Sequence, residues 1–503
     1  MPVRVLDSLT SWNADWAGLR VLVLGLGVTG FAAADTLAEL GCSVLVAASS
    51  TDDATAQILN VIGVDLVLAD LRSAVPDAVA AFDPELVIVS PGFPPTHPAV
   101  RWAHESGTAV WGDVELAWRL RDKVGTPAEW ILVTGTNGKT TTVQLTASML
   151  VAGGVRAAPC GNVGVPVLDA IRDPSGFDVL VVELSSFQLH YLGEISPWAS
   201  VCLNIADDHL DWHGSAAAYR EAKAKVYAKT KFACVFNQDD LVTRELVEEA
   251  DVVDGCRAIG FSLGIPGPSD FGVVDGIVVD RAFLDDRRNT ALEIATVEEL
   301  ADVGLGGRHM VANSLAASAL ARSFGVSIVA VRDALLSFHP DHHRTEVIAT
   351  HGGIRWVDDS KATNAHAALA SLGMFDSVVW ILGGLLKGTS LDALIGTVVP
   401  RLRGAVVIGV DRAAIVEAFA RHAPELPVIE VDTTDTNEVM PTAVRLAAGL
   451  AFDGDAVLLA PAAASMDQFR DYADRGAKFA SAVQELLGGD AGDDKHSASP
   501  TIT

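Results

Sequence analysis

The sequence predicts an α/β protein of three domains with mainly parallel sheets. Segments of strand character alternate with segments of helical periodicity along the whole chain, which is the pattern of α/β folds. Three apolar runs each end in a glycine-bearing loop that opens a helical segment: Val21-Leu-Val-Leu-Gly25, Trp130-Ile-Leu-Val-Thr-Gly135 and Val378-Val-Trp-Ile-Leu-Gly383-Gly384. The length of 503 residues suits about three domains of roughly 150 residues each. One boundary is expected near residues 111–123, ahead of the second glycine loop. Another is expected near 338–343, where a helical pattern over 327–337 runs into a proline-bearing stretch. We therefore expect domains at 1–114, 115–340 and 341–487. A Gly/Asp/Ser-rich tail at 488–503 is expected to be disordered.

Composition excludes several classes of function. Half of the residues are hydrophobic and 20% are charged, as in a globular protein. A net charge of -28 would repel a nucleic-acid backbone over most of the surface. It does not exclude phosphate ligands, which a nest of backbone amides can hold. The five cysteines show no metal or redox spacing and read as reduced, buried thiols. Residues 1–20 lack a basic start followed by an apolar stretch. The apolar run at 21–34 is short and interrupted by three glycines. Neither a signal peptide nor a membrane span is expected, which points to the cytoplasm.

The second glycine loop carries the strongest chemistry. Thr134-Gly-Thr-Asn-Gly-Lys139-Thr140-Thr141 follows an apolar strand and opens a helix expected over 142–151. That context is what a phosphate-binding loop needs. Gly135 and Gly138 let the backbone curl so that amide hydrogens point inward. Lys139 brings a positive charge for terminal phosphates, and Thr140 a hydroxyl for Mg²⁺. In isolation, Gly-Lys-Thr also fits an exposed lysine at a helix start; the flanking strand and helix argue against that. The loop is shorter than the common Walker form, with Val133 where a glycine would stand.

The first loop, Gly25-Leu-Gly27-Val-Thr-Gly30, fits GxGxxG after a strand. A nicotinamide site would want an acid at the end of the second strand. Ser43-Val-Leu-Val-Ala47-Ala48 ends without one, and Asp52 and Asp53 are expected later, in a loop. The loop reads as binding a diphosphate-containing ligand that need not be NAD. Between the two halves, Glu183 ends a strand beside the phosphate loop, where a carboxylate suits Mg²⁺ or serves as a helix cap. Asn204-Ile-Ala-Asp207-Asp208-His209-Leu-Asp211 forms an acid-and-histidine loop after the next strand. A helix expected over 215–229 places Tyr219, Lys223 and Tyr227 on one face, with Lys225 as a solvated charge. The His339, His342 and His343 group has no third-ligand spacing that favours zinc.

Taken together these motifs resemble those of the Mur ligases, a family of ATP-dependent amide ligases related to folylpolyglutamate synthases. The resemblance covers residues 21–479. It rests on 134–141, 183–188, 204–211, Gly307-Arg-His309 with Asn313, His343-Arg344, and Asp359-Ser-Lys361-Ala-Thr363-Asn364. The stretches 27–30, 90–94, 112–116, 161–166 and 465–469 resemble the members that add D-glutamate. The resemblance implies an N-terminal Rossmann-like domain that binds UDP, a central P-loop ATPase-type domain, and a C-terminal Rossmann-like domain that brings the amino acid. It implies ATP, UDP-N-acetylmuramoyl-L-alanine and D-glutamate as substrates, in peptidoglycan precursor synthesis, and a monomer.

The same resemblance implies residue roles. Gly135, Thr136, Asn137, Gly138, Lys139, Thr140 and Thr141 would bind ATP, with Asn313, Arg344 and Asp359. Val28, Thr29, Ser90, Gly92, Asn162, Ser185 and Gln188 would meet the UDP-linked substrate. Thr363, Lys387, Ser465, Met466 and Tyr472 would surround D-glutamate. Thr140 and Glu183 would hold one Mg²⁺, and His209 with a carbamylated Lys223 a second. Lys139, His209, Lys223 and Lys361 would be catalytic. The chain departs from the family pattern at Ala47 and Ala48, where an acid is expected, at Met310, where Asn is frequent, and at Leu386, where Asp is common.

Competing assignments leave more unexplained. Folylpolyglutamate synthases lack a separate UDP-binding domain, and the Asp-Asn-Pro-Arg motif of the diamino-acid-adding ligases is absent. An NAD-dependent oxidoreductase leaves 134–141 without a role. A non-catalytic nucleotide-binding regulator would not need Glu183, His209 and Lys223.

Overall fold

The structure is a computed structural model describing residues 6–339, 342–433 and 435–493, with side chains through Gly488. The described residues form two compact units, one of 6–205 with 212–339 and one of 206–211 with the chain from 342 onward.

The first unit holds two sheets. The N-terminal one contains β1 (Arg20–Leu24), β2 (Ser43–Ala48), β3 (Asp65–Leu68), β4 (Leu86–Val89) and β5 (Ala109–Gly112), in the order β3-β2-β1-β4-β5. All of its pairings are parallel. β1 and β4 are apolar almost throughout because helices cover both faces of a parallel sheet; residues 21–24 and 86–89 are buried. The strand order reverses between β1 and β4, and ligands bind at such a switch point. Helix α1 (Val28–Glu39) follows β1 from an N-cap at Gly27. Asp52 lies in the loop as expected and caps the helix Asp53–Val61 by accepting from Thr55 N; Asp53 does not, being the first residue of that helix. β2 ends in buried Ala47 and Ala48. Helix α2 (Asp113–Leu120) begins directly after β5.

The central sheet has nine strands: β6 (Glu129–Thr134), β7 (Ala157–Gly161), β8 (Val179–Glu183), β9 (Ala199–Cys202), β10 (Ala233–Asn237), β11 (Arg257–Phe261), β12 (Asp270–Val274), β13 (Ile277–Asp280) and β14 (Leu292–Thr296). Their order is β14-β13-β12-β11-β10-β9-β6-β8-β7. Pairings from β7 to β12 are parallel, and β12-β13-β14 closes the edge as an antiparallel meander. β6 therefore sits between β8 and β9, and its C-terminal loop is flanked by the ends of both.

Helix α3 (Lys139–Ala152) starts three residues before the expected position. Thr140, Thr141 and Thr142 have modest helix propensity. Gly138, at φ 84°, turns the chain into the helix, and Thr142 Oγ1 donates to Gly138 O at 3.0 Å. Helix α4 (Ser186–His190) follows β8. The helix expected over 215–229 is instead α5 (Ala216–Ala224) followed by a 3-10 turn, Lys225–Tyr227. Lys225 is not simply solvated: its Nζ donates to His190 O at 2.6 Å. Tyr227 departs from Tyr219 and Lys223. Its hydroxyl accepts from Cys202 N at 3.0 Å and donates to Val235 O at 2.8 Å, tying β9 to β10. Helix α6 (Arg308–Ser323) packs its buried face on the core formed with α3 and the central strands.

The second unit is built on β15 (Glu346–His351), β16 (Ile354–Asp358), β17 (Val378–Gly383), β18 (Leu402–Ile408), β19 (Val428–Glu430) and β20 (Ala456–Leu459), ordered β15-β16-β20-β17-β18-β19. Only β15-β16 is antiparallel. Apolar clusters cover both faces of this sheet. Helix α7 (Tyr472–Asp493) is longer than expected, so residues 488–493 of the expected disordered tail are helical; the remainder of that tail lies outside the described residues.

The five cysteines are free, and Cys42 and Cys256 are only half-buried. Cys234 Sγ and Cys256 Sγ lie 3.8 Å apart, a neighbourhood that β10-β11 pairing creates and linear spacing does not reveal. Among the described residues no helix is long and apolar enough to cross a membrane.

Candidate active site

The turn after β6 is held from both sides. Gly135 and Gly138 have positive φ, at 151° and 84°. A Cβ on Gly138 would stand 2.3 Å from Asn313 Oδ1, so a side chain here would push the Asn313 amide aside, and the positive φ itself favours glycine. Asn204, just past β9, grips the turn: its O accepts from Thr136 N at 2.9 Å and its Oδ1 from Asn137 N at 2.9 Å, while its Nδ2 donates to Asn137 O at 3.1 Å. Lys139 Nζ donates to Gly135 O and Thr136 O at 3.0 and 2.9 Å, which places its charge over the curl of the loop. Thr141 Oγ1 is buried with no hydrogen-bond partner in the protein. An unsatisfied buried hydroxyl beside a glycine cradle and a helix start fits a phosphate-bearing ligand.

Lys223 and Tyr219 reach the same turn from α5. Lys223 is 1% exposed, and its Nζ donates to Gly135 O at 2.8 Å and Thr134 Oγ1 at 3.3 Å. Tyr219 OH shares a hydrogen bond of 2.9 Å with Thr136 Oγ1. On the other flank Glu183 ends β8, is 2% exposed, and accepts from Asn162 Nδ2 at 3.0 Å. Gly161 makes this possible. At φ 115°, its missing Cβ would lie 2.3 Å from Glu183 O. Thr140, Glu183, Lys223 and the turn therefore surround the end of β6. Ser185 and Gln188 form a capping box at the start of α4.

At the switch point of the N-terminal sheet, Gly25 follows β1 and Ser90 follows β4. Ser90 Oγ donates to Gly25 O at 3.5 Å, and a Cβ on Gly30 would meet Gly25 O at 2.1 Å. Gly92 and Gly27 face open space, and Val28 is exposed at the start of α1. This leaves an open crevice edge with no carboxylate from β2.

In the second unit the C-terminal ends of β16, β20, β17 and β18 again carry the polar groups. Asp359 follows β16, and burial pushes its carboxyl up to about 6. Hydrogen bonds from Ser371 and Thr345 N and the charge of Arg344 pull the other way. His343 donates through Nδ1 to Asp358 at 2.7 Å, a bond that raises the imidazole's pKa. Lys361 Nζ stands 3.7 Å over the Tyr472 ring. Lys387, at φ 53°, points its Nζ to Asp208 Oδ1 at 3.5 Å; Asn364 Nδ2 donates to Asp208 Oδ2 at 3.4 Å. Asp208 Oδ1 also accepts from His209 N. Ser465 is buried and Met466 exposed. Thr363 lies between Lys361 and Asn364 in the same turn.

The family model described as Mur ligase MurD-like, N-terminal domain, matches residues 19–112; Mur ligase middle domain matches 133–321; and Mur ligase, glutamate ligase domain, matches 343–463. A protein of Leifsonia xyli subsp. xyli named UDP-N-acetylmuramoylalanine--D-glutamate ligase is 62% identical, over 98% of each chain. The chain belongs to the Mur ligase family. A Streptomyces avermitilis protein of the same name is 52% identical over 94% of this chain and 99% of its own. Two solved structures share the Mur ligase fold at low identity. The UDP-N-acetylmuramate-alanine ligase MurC of Thermotoga maritima has a TM-score of 0.55 at 19% identity, covering 93% of this chain and 100% of that one. MurF ligase of Thermotoga maritima, in complex with ADP, has a TM-score of 0.53 at 17% identity, covering 96% and 99%. The fold is thus the three-domain α/β architecture expected from the sequence.

Two groups of this Mur ligase escape sequence reasoning. Asn204 stands within a recognisable motif, but nothing there marks it as the clamp of the phosphate turn. Arg475 does not stand out at all. It is fully buried, and it donates to Ser360 Oγ, Ser360 O and Ala463 O at 3.0, 2.9 and 3.1 Å, bracing the 359–364 turn against the loop after β20. An arginine three residues past Tyr472 in an amphipathic helix looks like any surface charge, so no local signal marks it.

Proposed function

We propose that this Mur ligase joins D-glutamate to UDP-N-acetylmuramoyl-L-alanine at the expense of ATP, in the cytoplasm, acting as a monomer in peptidoglycan precursor synthesis. The observation that carries this is the near-full-length identity to relatives of that name, together with a phosphate turn built on Gly135, Gly138 and Lys139. We place the substrate domains at 1–114, 115–340 and 341–487.

A carboxylate is a poor electrophile, so amide formation needs activation. The alanine carboxylate attacks the γ-phosphorus of ATP; the bond to the bridging oxygen breaks, giving an acyl phosphate and ADP. The D-glutamate amine then attacks the acyl carbon. The tetrahedral intermediate collapses by expelling inorganic phosphate, and the amine nitrogen loses a proton. Residues 135–141 cradle the phosphates with amides, and Lys139 adds positive charge. Asn313, Arg344 and Asp359 hold the rest of the nucleotide. Val28, Thr29, Ser90, Gly92, Asn162, Ser185 and Gln188 hold the UDP-linked substrate. Thr363, Lys387, Ser465, Met466 and Tyr472 hold D-glutamate, with Lys361 as a further catalytic cation.

Among the described residues no three acidic, histidine or cysteine side chains group as a metal site. Mg²⁺ takes one or two carboxylates from a protein, with substrate phosphates and water completing its shell, and the buried Glu183 at the end of β8 offers one. Thr140 and the buried Glu183 would hold one ion; His209 and a carbamylated Lys223 would hold a second. Mg²⁺ when bound neutralises charge on the transferring phosphoryl group. A carbamate keeps one N–H on Lys223 Nζ, enough to retain the bond to Gly135 O, and turns a cation into an anionic oxygen donor.

The amino-acid specificity is tested with ATP, Mg²⁺ and UDP-N-acetylmuramoyl-L-alanine, supplying amino acids one at a time. D-Glutamate alone is expected to sustain ADP release with matching product. Turnover with L-alanine or a diamino acid, and none with D-glutamate, would assign the chain to a different step.

A further inference from the structure

Asp113 is an expensive residue in its position. It opens α2, is 4% exposed, and accepts one hydrogen bond, from Gln188 Nε2 to its Oδ2 at 3.2 Å. Its Oδ1 is buried without a partner. Burial pushes the carboxyl up to about 6, against the pull of Gln188 and the amides at the start of α2. A buried, half-satisfied carboxyl costs free energy that an apolar residue would not.

Its neighbour Glu115 shows what a tie across the same junction looks like. Glu115 Oε1 takes Arg119 Nε at 2.7 Å and Oε2 takes Gly193 N at 3.0 Å, so both oxygens are engaged. Asp113 serves only Gln188. The Gln188 amide is held at its other end too: Oε1 accepts from Ser185 N at 3.1 Å and Ser185 Oγ at 3.3 Å. An amide gripped at both oxygen and nitrogen cannot flip, and its donor and acceptor faces are set. Asp113, Gln188 and Ser185 form a chain from the start of α2 to the turn just past Glu183.

We infer that Asp113 is a positioning residue for the UDP-linked substrate, fixing the orientation of the Gln188 amide and of the Ser185 turn. The inference rests on the proposal that Ser185 and Gln188 meet that substrate.

Steady-state kinetics of the full chain with each substrate varied in turn test it. Asp113→Leu removes the acceptor and is expected to raise KM for UDP-N-acetylmuramoyl-L-alanine about tenfold, the scale of one lost hydrogen bond. KM for ATP and for D-glutamate should stay within about twofold. Asp113→Asn keeps an acceptor oxygen for Gln188 Nε2 and should restore KM to within about threefold of the parent. On a Gln188→Leu background, Asp113→Leu should add less than about twofold, because the pair acts as a unit. If Asp113→Leu does not fold, Asp113→Ala takes its place in the same cycle. An unchanged KM for the UDP-linked substrate, equal rises for all three substrates, or full additivity with Gln188→Leu overturns the inference. If Gln188→Leu alone leaves that KM unchanged, the underlying substrate assignment fails first.

Discussion

Lys139→Ala is expected to lower ADP formation by on the order of a thousandfold or more, while the chain stays folded. The Lys139 ammonium is held over the turn by Gly135 O and Thr136 O, at the surface of the loop and not within an apolar core, so its removal costs little stability. What the variant loses is the cation beside the phosphates. Charge placed where charge develops does more for phosphoryl transfer than any other effect the protein can supply. Lys139→Arg restores the charge but not its shape, because a bulky planar guanidinium spreads the charge over three nitrogens where the compact ammonium presents it at one point above the curl. It should recover only a small part of the rate. Single-turnover ADP release checks both variants, with thermal melting as the control for folding. Near-parental ADP release by the alanine variant would remove this lysine from the chemistry.

Lys223→Ala carries the second large effect. Activity is expected to fall below detection, and acetate or formate at tens of millimolar should partly restore it. The side chain is buried and holds Gly135 O and Thr134 Oγ1, so truncation also costs about 1–3 kcal/mol of stability. A small carboxylate cannot replace those donated hydrogen bonds. It can replace the anionic oxygens of a carbamate, and rescue therefore distinguishes a ligand role from a structural one. Lys223→Arg, which keeps donors but forms no stable carbamate, should remain inactive with or without added carboxylate. A fully active alanine variant would reject the carbamate role, and rescue of the arginine variant would contradict it.

Much of the fold is legible in the sequence because parallel strands covered on both faces are continuous apolar runs. Residues 21–24, 130–134 and 378–382 stand out for that reason, and each ends in glycines that the turn requires. The phosphate turn is legible down to Gly138, whose positive φ favours glycine and whose missing Cβ leaves space for the Asn313 amide. What the chain hides is tertiary. Asn204 grips Asn137 across 67 residues, and Arg475 reaches Ser360 across 115. Neither pairing leaves a periodic trace. The start of α3 lies earlier than expected because three threonines look unlike a helix until Thr142 bonds back to Gly138 O. Spacing groups Tyr227 with Tyr219 and Lys223, but a 3-10 turn after Ala224 rotates it into the strand junction. The helical residues 488–493 read as tail because glycine and aspartate outweigh the apolar periodicity that precedes them.

The most direct test of acyl activation is the fate of one oxygen. With both oxygens of the alanine carboxylate of the UDP-linked substrate labelled with ¹⁸O, a complete turnover with ATP, Mg²⁺ and D-glutamate should release inorganic phosphate carrying one labelled oxygen per molecule. Phosphate free of label, with normal product formed, would contradict attack of that carboxylate on the γ-phosphorus.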